Sequence, residues 1–409
     1  MGQFILGLDI GTVNIKGVIG GLSKTRKPYI LQVFKKPSSG VRKGVVVDTE
    51  ELTDVLCQIV NEIKSINRSA LENVFVNIGN HQTNFRCSRG FIALSRVDSE
   101  ISNDDIERSI QASAAIRLPS NRSIIHIIPR EFFVDAVAVK DPSGLFGTRL
   151  EVDSLIIDAF SPAVKNLSNC LKLAGISDFQ TIFSPLAGAR AVLSKTQSDL
   201  GVVLIDIGAG TTGLSVFEEN KLLHTVVFPI GSANITNDIA IGFKTNIEIA
   251  EKLKYSFAFA QFKELGRRDT IDLVKISPEL TGSISRRFLS EIIEVRLAEI
   301  LELVNNELIK LGKAAKLPGG VVIVGGGAKI PGVLELVKKQ LKLPAQIGTV
   351  QKDQFEVESD LTSQALIEDQ EFASAVGLFL WGCDEIKKQR SPAFGLLSKV
   401  GQFFKQFLP

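Results

Sequence analysis

The stretch that decides the fold is Gly201–Phe217, GVVLIDIGAGTTGLSVF. Its apolar, β-branched run Val202–Ile207 reads as a buried strand, with Asp206 placed just before a loop of small residues, Gly208 to Gly213. Taken literally the loop is GxGxxG, the dinucleotide fingerprint, whose mechanics require a helix to start at the glycines. Here Leu214–Phe217, a polar turn Glu218–Lys221 and the run Thr225–Phe228 come next instead, so the unit is strand, turn, strand. The Rossmann reading fails on context. What remains is a hairpin whose glycine-rich bend gathers backbone N–H groups, able to cradle phosphate oxygens. An acidic residue at its strand end suits a hydrated Mg²⁺. An ordinary hairpin with a glycine turn fits this single stretch equally well.

A second copy near the N-terminus breaks that tie. In Phe4–Ile19, FILGLDIGTVNIKGVI, Asp9 aligns with Asp206 and Gly11 with Gly208, each flanked by a buried strand on either side. Two strand–Asp-x-Gly–strand units imply two halves clamping one ligand, and the cleft between domains is a preferred binding place. A third element, Val321–Val324 followed by Gly325, Gly326 and Gly327, is a strand ending in three glycines. Together these resemble the actin superfamily of actin, heat-shock chaperones and sugar kinases, where such a triple-glycine loop lets the backbone approach adenosine.

The 409 residues exceed one core and fit two to four domains. With 44% hydrophobic and 22% charged residues the composition is that of a soluble globular protein, and a net charge of +2 gives no case for nucleic acid. Four scattered cysteines and three histidines suggest neither a zinc site nor a disulfide framework. The chain runs from Met1 straight into its first strand with no signal-peptide pattern, and no apolar run reaches the length of a membrane span. A reducing cytoplasm is the expected compartment.

Along the chain, helical spacing of Leu52, Val55, Leu56, Ile59, Val60 and Ile63 predicts a helix over Glu50–Ile66, followed by a strand at Val74–Gly79. A small α+β insert comes after it. Its helix runs over Ile101–Ile116 with Ser102 at its start, and its strands lie at Phe91–Leu94, Ser123–Ile128, Phe132–Val139 and Leu150–Phe160. A helix over Val164–Ala174 closes at Gly175. After the second hairpin, Thr245 reads as an N-cap with Glu248 completing a capping box. The segment Gln261–Ser283 is polar and strand-poor. The longest helix spans Ser285–Leu311, with Phe288, Ile292, Val295, Leu303, Leu308 and Leu311 as buried candidates. A small-residue helix over Glu371–Leu378 is suited to close packing, and Asp384–Pro392 reads as a charged linker.

With these pieces in place the chain resembles the bacterial cell-division actin homologues of the FtsA family. The tracts GLDIGTVNIKGVIG, HIIPREFFVDAVAVKDPSGLFGTRLEV, NDIAIGFKTNIEIAEKLK, VVIVGGGAKIPGV and FASAVGLFLWG occur in the expected order and cover nearly the whole chain. The resemblance implies an α/β, actin-like two-lobed fold of duplicated ribonuclease-H-like halves with an FtsA-type 1C insert. Expected subdomains are 1A at 1–82, 162–194 and 345–390; 1C at 83–161; 2A at 195–234 and 312–344; and 2B at 235–311. It also implies ATP and Mg²⁺ as cofactors, with self-assembly, FtsZ, other division proteins and the anionic inner face of the cell membrane at the division site as partners. Carried over, Gly11, Thr12, Asn14 and Lys16 form the first phosphate loop, and Gly208, Ala209, Gly210, Thr211 and Thr212 the second. Asp9 and Asp206 face the metal, Glu251 and Lys254 reach ribose and base, and Gly325 to Gly327 back the adenosine. Without the resemblance, Glu251 and Lys254 read simply as a solvated helix face. Arg296 and Arg286, in the long helix, are candidates for an acidic-apolar FtsZ peptide on 2B.

Two departures from the superfamily pattern matter. Gly213 stands where a second aspartate is usual, and Ser184 precedes Pro185 where fast-hydrolysing relatives place Glu or Gln. A nucleotide switch with slow or negligible turnover is therefore expected. The stretch Ser391–Pro409, SPAFGLLSKVGQFFKQFLP, puts Leu396, Leu397, Val400, Phe403, Phe404 and Phe407 on one helical face and Lys399 and Lys405 on the other, with no acidic residue. That pattern describes a helix lying in a lipid interface. A helix docked on the protein's own core is the competing reading. The pilus-assembly homologue PilM, which shares the insert but typically lacks such a tail, and a small-molecule kinase remain alternatives within the superfamily.

Overall fold

The computed structural model describes residues 4–94, 100–276, 281–357 and 361–389. Two sheets of matching topology form its backbone. In the first, Pro28–Pro37, Asn14–Leu22, Phe4–Ile10, Val74–Ile78 and Phe179–Phe183 lie side by side, the first two junctions antiparallel and the next two parallel. The second repeats that order with Lys221–Phe228, Thr212–Glu218, Val202–Ile207, Gly320–Val324 and Ala345–Ile347. The strand that precedes each hairpin bend is thus central and buried on both faces, hence its unbroken apolar run. Ala345–Ile347 pairs with Gly320–Val324, so the second lobe extends past the boundary expected at 344.

Between the lobes runs the helix Ala373–Gln389, packed against Ser184–Val192 and against the strand Phe4–Ile10. Gly377 lies against the Ala187 carbonyl and Gly7 against the backbone of Ala375 and Phe379, so no side chain would fit at either contact. This helix also corrects the expected linker: Asp384 to Gln389 continue it. Arg190 pairs with Asp384 at 2.8 Å, and Ile386 and Glu385 are buried.

The insert is a separate four-stranded sheet, Asn84–Ala93, Arg149–Phe160, Arg122–Val134 and Val137–Val139 in spatial order. Helix Asn103–Ser113 covers it, started by a Ser102–Asp105 capping box. The strands expected at 123–128 and 132–139 divide elsewhere. Arg122–Val134 is continuous, passing Pro129 through a bulge that skips Arg130, where a missing N–H is tolerated. The real break is the turn at Asp135 and Ala136, both left-handed at φ 48° and 68°, the geometry of a two-residue hairpin.

Three further expectations need correction. The helix Ile247–Phe257 is capped by Asn246, whose Oδ1 accepts the Ile249 N–H at 2.9 Å. Thr245 instead belongs to the end of the previous helix, its N–H bonding the Ala240 carbonyl after left-handed Lys244. The polar segment after it holds a two-stranded ribbon, Thr270–Asp272 with Ser283–Ser285. The long helix Arg286–Lys310 buries Leu289, Ile293, Leu297, Ile300, Leu301, Val304 and Leu308. Phe288, Val295 and Leu303 are 43%, 54% and 37% exposed, because this helix is apolar on two faces and only one meets the core. The stretch 391–409, with its membrane-facing candidates, lies outside the described residues.

Candidate functional site

Each central strand delivers its aspartate and then turns within four residues. The Gly11 N–H bonds the Asn14 carbonyl at 3.1 Å, and the Gly208 N–H bonds that of Thr211 at 2.9 Å. The two bends are therefore the same closed loop built twice. They meet across the lobes. A Cβ on Gly210 would lie 2.6 Å from the Thr12 hydroxyl and 3.1 Å from the Lys43 backbone, so the second loop can approach the first only as glycine.

Around them opens a cleft of about 1010 Å³, large for a small-molecule site. It is lined by Asp9, Gly11, Thr12, Asn14, Lys16, Asp206, Gly208 to Thr211, Glu251, Lys254, Gly325 and Gly326. Thr212 and Gly327 stand apart. The Thr212 hydroxyl is buried and donates to the Ile230 carbonyl at 2.8 Å, and Gly327 packs against Ile207. Both positions alternate away from the cleft, as a period-two strand and a tight turn require.

The electrostatics are unequal on the two sides. Lys16 reaches Asp9 at 2.8 Å and donates to the Glu371 carbonyl at 2.8 Å. Burial disfavours its charge, but Asp9, then Asp206 and Glu371, outweigh this and raise its pKa. Burial pushes the Asp206 carboxyl up to about 6, Asp9 adding to the rise while Lys16 and the Ser374 hydroxyl oppose it. Asp206 is thus a buried carboxylate short of positive charge at neutral pH. Among the described residues no group of three metal-ligating side chains occurs. That donor set fits a divalent cation held through one or two carboxylates, with water and a ligand's phosphates supplying the rest.

At the far end, Thr236 donates to Glu251 and accepts from Lys254 Nζ at 2.7 Å, and Lys254 pairs with Glu251 at 2.8 Å. Helix and cleft wall are thereby fixed before any ligand arrives. Several cleft residues escaped the sequence reading. Asn77, a lone polar residue in the buried strand Val74–Ile78, accepts the Ile10 N–H at 2.7 Å and pins the first bend's strand. That polar interruption was the available signal. Glu371 receives Lys35 at 2.6 Å from the first lobe and Lys329 at 2.8 Å from the second. Burial opposes its charge, yet these two lysines hold its carboxyl at about 2. Lys35 is hundreds of residues away in sequence and Lys329 dozens, so nothing local marks it.

Of the two arginines, Arg296 is already engaged, bidentate on Asp238 at 2.6 and 2.8 Å and on Glu299 at 2.5 Å. Arg286 has a buried Nε with no hydrogen-bond partner among the described residues.

Comparison with known proteins gives the chain's relatives. The family model described as cell division protein FtsA matches residues 203–377, and the one described as the SHS2 domain inserted in FtsA matches 80–158. The cell division protein FtsA of Pseudomonas aeruginosa is 32% identical over 79% of this chain and 78% of its own, and that of Bacillus subtilis 33% identical over 79% and 73%. Among solved structures, a PilM–PilN type IV pilus biogenesis complex superimposes with TM-score 0.62 at 19% identity, covering 93% of this chain and 98% of that one. MreB5 of Spiroplasma citri bound to ADP gives 0.54 at 14%, over 93% and 96%. These structural likenesses carry the actin-like fold alone; the sequence relatives carry the lineage. The chain belongs to the FtsA family of cell-division proteins.

Proposed function

We propose that this chain binds ATP with Mg²⁺ between its lobes, polymerises, and tethers FtsZ filaments to the cytoplasmic face of the cell membrane at the division site. The observation that carries the nucleotide half is the meeting of two identical Asp-x-Gly bends, one from each lobe, at the base of one large cleft. Gly11, Thr12 and Asn14 with Gly208 to Thr211 would hold the phosphates through backbone N–H groups, with Lys16 moving from Asp9 to phosphate. Asp9 and Asp206 would hold the cation, which when bound neutralises phosphate charge. Glu251 and Lys254 would take the ribose. The nucleotide complexes of MreB5 of Spiroplasma citri, with ADP and with AMPPNP, support this by fold.

Turnover is slow in this reading. Ser184 lines the cleft where an attacking water would need a carboxylate or amide, and its hydroxyl lies 3.4 Å from Asn77 Nδ2. A Cβ added to Gly213 would lie 3.2 Å from the Pro185 side chain, a tight approach, and as glycine the position supplies no second carboxylate beside Asp206. Binding of fluorescent ATP tests the site. Gly210→Asp places charge and bulk against Thr12 and abolishes binding while circular dichroism stays native. Retained binding by the folded variant overturns the assignment.

The partner half rests on family membership and on the apolar strip of Ile241, Phe288 and Val295 at the crossing of helices Ser232–Phe243 and Arg286–Lys310. An acidic-apolar FtsZ tail would dock there. Arg296, held by Asp238, would shape that surface more than donate to the peptide. Attachment to lipid would come from Ser391–Pro409, since among the described residues no helix is long and apolar enough to cross a membrane. Other division proteins would join through the same filament. A PilM-like role shares the fold, and nothing in the geometry favours it over this reading.

A further inference from the structure

The end of the first lobe where helix Ala373–Gln389 finishes carries charge that neither the core nor the cleft uses. Along that helix Gly7 meets the backbone of Ala375 and Phe379, and further on Gly382 meets Ile5. The helix therefore runs toward the Phe4 end of the central strand. Ile5 lies opposite Gly20, and the strand Asn14–Leu22 leads at that same end into the turn Ser23–Lys27. Helix end and turn each reach about 10 Å beyond the Ile5–Gly20 level, by the rise from Gly382 to Gln389 and from Gly20 to Ser23.

The turn reads SKTRK, with Lys24, Arg26 and Lys27 exposed. It is firmly built. The Ser23 hydroxyl accepts the Lys27 N–H at 3.1 Å and meets the Thr25 hydroxyl at 2.8 Å, while the Ser23 N–H bonds the Lys27 carbonyl at 2.9 Å. Its backbone is thus ordered by folding and costs nothing more to order on binding. Lys27 pairs with Glu356 at 3.2 Å, whereas Lys24 and Arg26 make no ion pair among the described residues. Exposed Arg68 and Glu72 lie beside Phe4 on the short helix Arg68–Glu72 and offset each other. Two unpaired cations remain, on a chain whose net charge is only +2.

The length of chain beyond the helix says what meets them. From Gln389 to Leu396, the first apolar side chain assigned to lipid, the chain spans at most about 25 Å. A tail seated in a bilayer thus keeps this end of the lobe beside the headgroups, where its charges act at high effective concentration. An anionic surface rewards each nearby Lys or Arg by about fivefold in affinity.

We propose that the Ser23–Lys27 turn is a second lipid-facing site, laying Lys24 and Arg26 on anionic headgroups next to the point where the tail enters. The inference rests on the tail reading and goes beyond it. The folded body, and not the tail alone, reads the charge of the bilayer, and the subunit sits with this end of its first lobe toward the lipid.

Co-sedimentation of the full chain with vesicles of phosphatidylcholine, alone or mixed with phosphatidylglycerol, tests this. Lys24→Ala combined with Arg26→Ala is expected to weaken partition onto the anionic vesicles by about 5- to 30-fold at about 0.1 M salt, where charges are felt over about 10 Å. Partition onto neutral vesicles stays within about twofold of the parent. Lys338→Ala combined with Lys339→Ala, exposed on helix Val333–Leu341 of the second lobe, removes the same charge and serves as the control. It is expected to stay within about twofold on both vesicles. All four side chains are exposed, so both variants fold. Parental anionic partition in the turn variant, with the chain lacking Ser391–Pro409 still losing it, overturns the second site and leaves the tail standing. The turn's charge would then face a protein partner or solvent. Equal losses in the turn and control variants overturn it too, because overall charge would then drive the attraction. An equal loss on neutral and anionic vesicles overturns the headgroup contact and assigns the effect to the tail. If the parent chain pellets with neither vesicle, both readings fall.

Discussion

Asp206 shows how one residue sets a trade between binding and stability. An unfolded aspartate has its ordinary value of 3.8, whereas burial lifts this one to about 6 in the fold. Between those values the native state keeps a proton that the unfolded chain has lost, so stability falls as pH rises through that window and stays lower above it. The penalty at neutral pH is on the order of 3 kcal/mol. Asp206→Asn removes it. The variant is expected to melt several degrees higher at pH 7.5, to match the parent near pH 4, and to lose Mg-dependent ATP binding, as differential scanning fluorimetry and calorimetry would show. A lower melting point at pH 7.5 would mean that the carboxylate is held by more than Lys16 and Ser374. Asp206 and Asp9 were legible in the sequence because both interrupt strongly apolar runs at the same distance before a glycine. Glu371 was not. It acquires meaning only from Lys35 and Lys329, which reach it from distant parts of the chain.

At the scale of elements, strands and their order were readable, and faces were harder. The hairpins emerged from runs of β-branched residues broken by small ones. Helix Arg286–Lys310 has apolar residues around most of its circumference, so periodicity could not choose the buried stripe, and tertiary packing selected Leu289, Ile293 and Leu297. The leftover stripe is where a partner surface is to be tested. Val295→Glu, at a position 54% exposed, is expected to leave the melting temperature unchanged and to weaken an FtsZ C-terminal peptide at least about tenfold, as one buried apolar anchor allows. Arg296→Glu instead sets like charges against Asp238 and Glu299 and lowers stability first. Unchanged peptide affinity in Val295→Glu would move the docking site off this helix.

At the scale of the molecule, the duplication was visible because each copy carries its own motif. The reach of the interlobe helix was not, since acidic and basic residues from Asp384 onward resemble a linker until Arg190 is seen to neutralise Asp384. Helix Ala373–Gln389 is fixed against the first lobe by close contacts of Gly377 with Ala187 and of Gly7 with Ala375 and Phe379. Removing Ser391–Pro409 should therefore leave the melting temperature and ATP binding intact while abolishing co-sedimentation with anionic liposomes. Phe404→Glu should do nearly the same, and Lys405→Glu should weaken binding chiefly at low salt. If the truncated chain still pelleted with liposomes, the attachment would lie elsewhere.

The uncompensated charge at Asp206 reaches beyond the cleft to the lifetime of the protein. On the proposed function, a subunit whose charge balance is completed by a cation and nucleotide would be less stable empty than full, by the mass-action logic that ties stability to ligand supply. Empty chains would open more often and be the ones exposed to proteases. The standing pool of subunits would thereby be edited toward loaded ones, so that abundance would follow ligand supply.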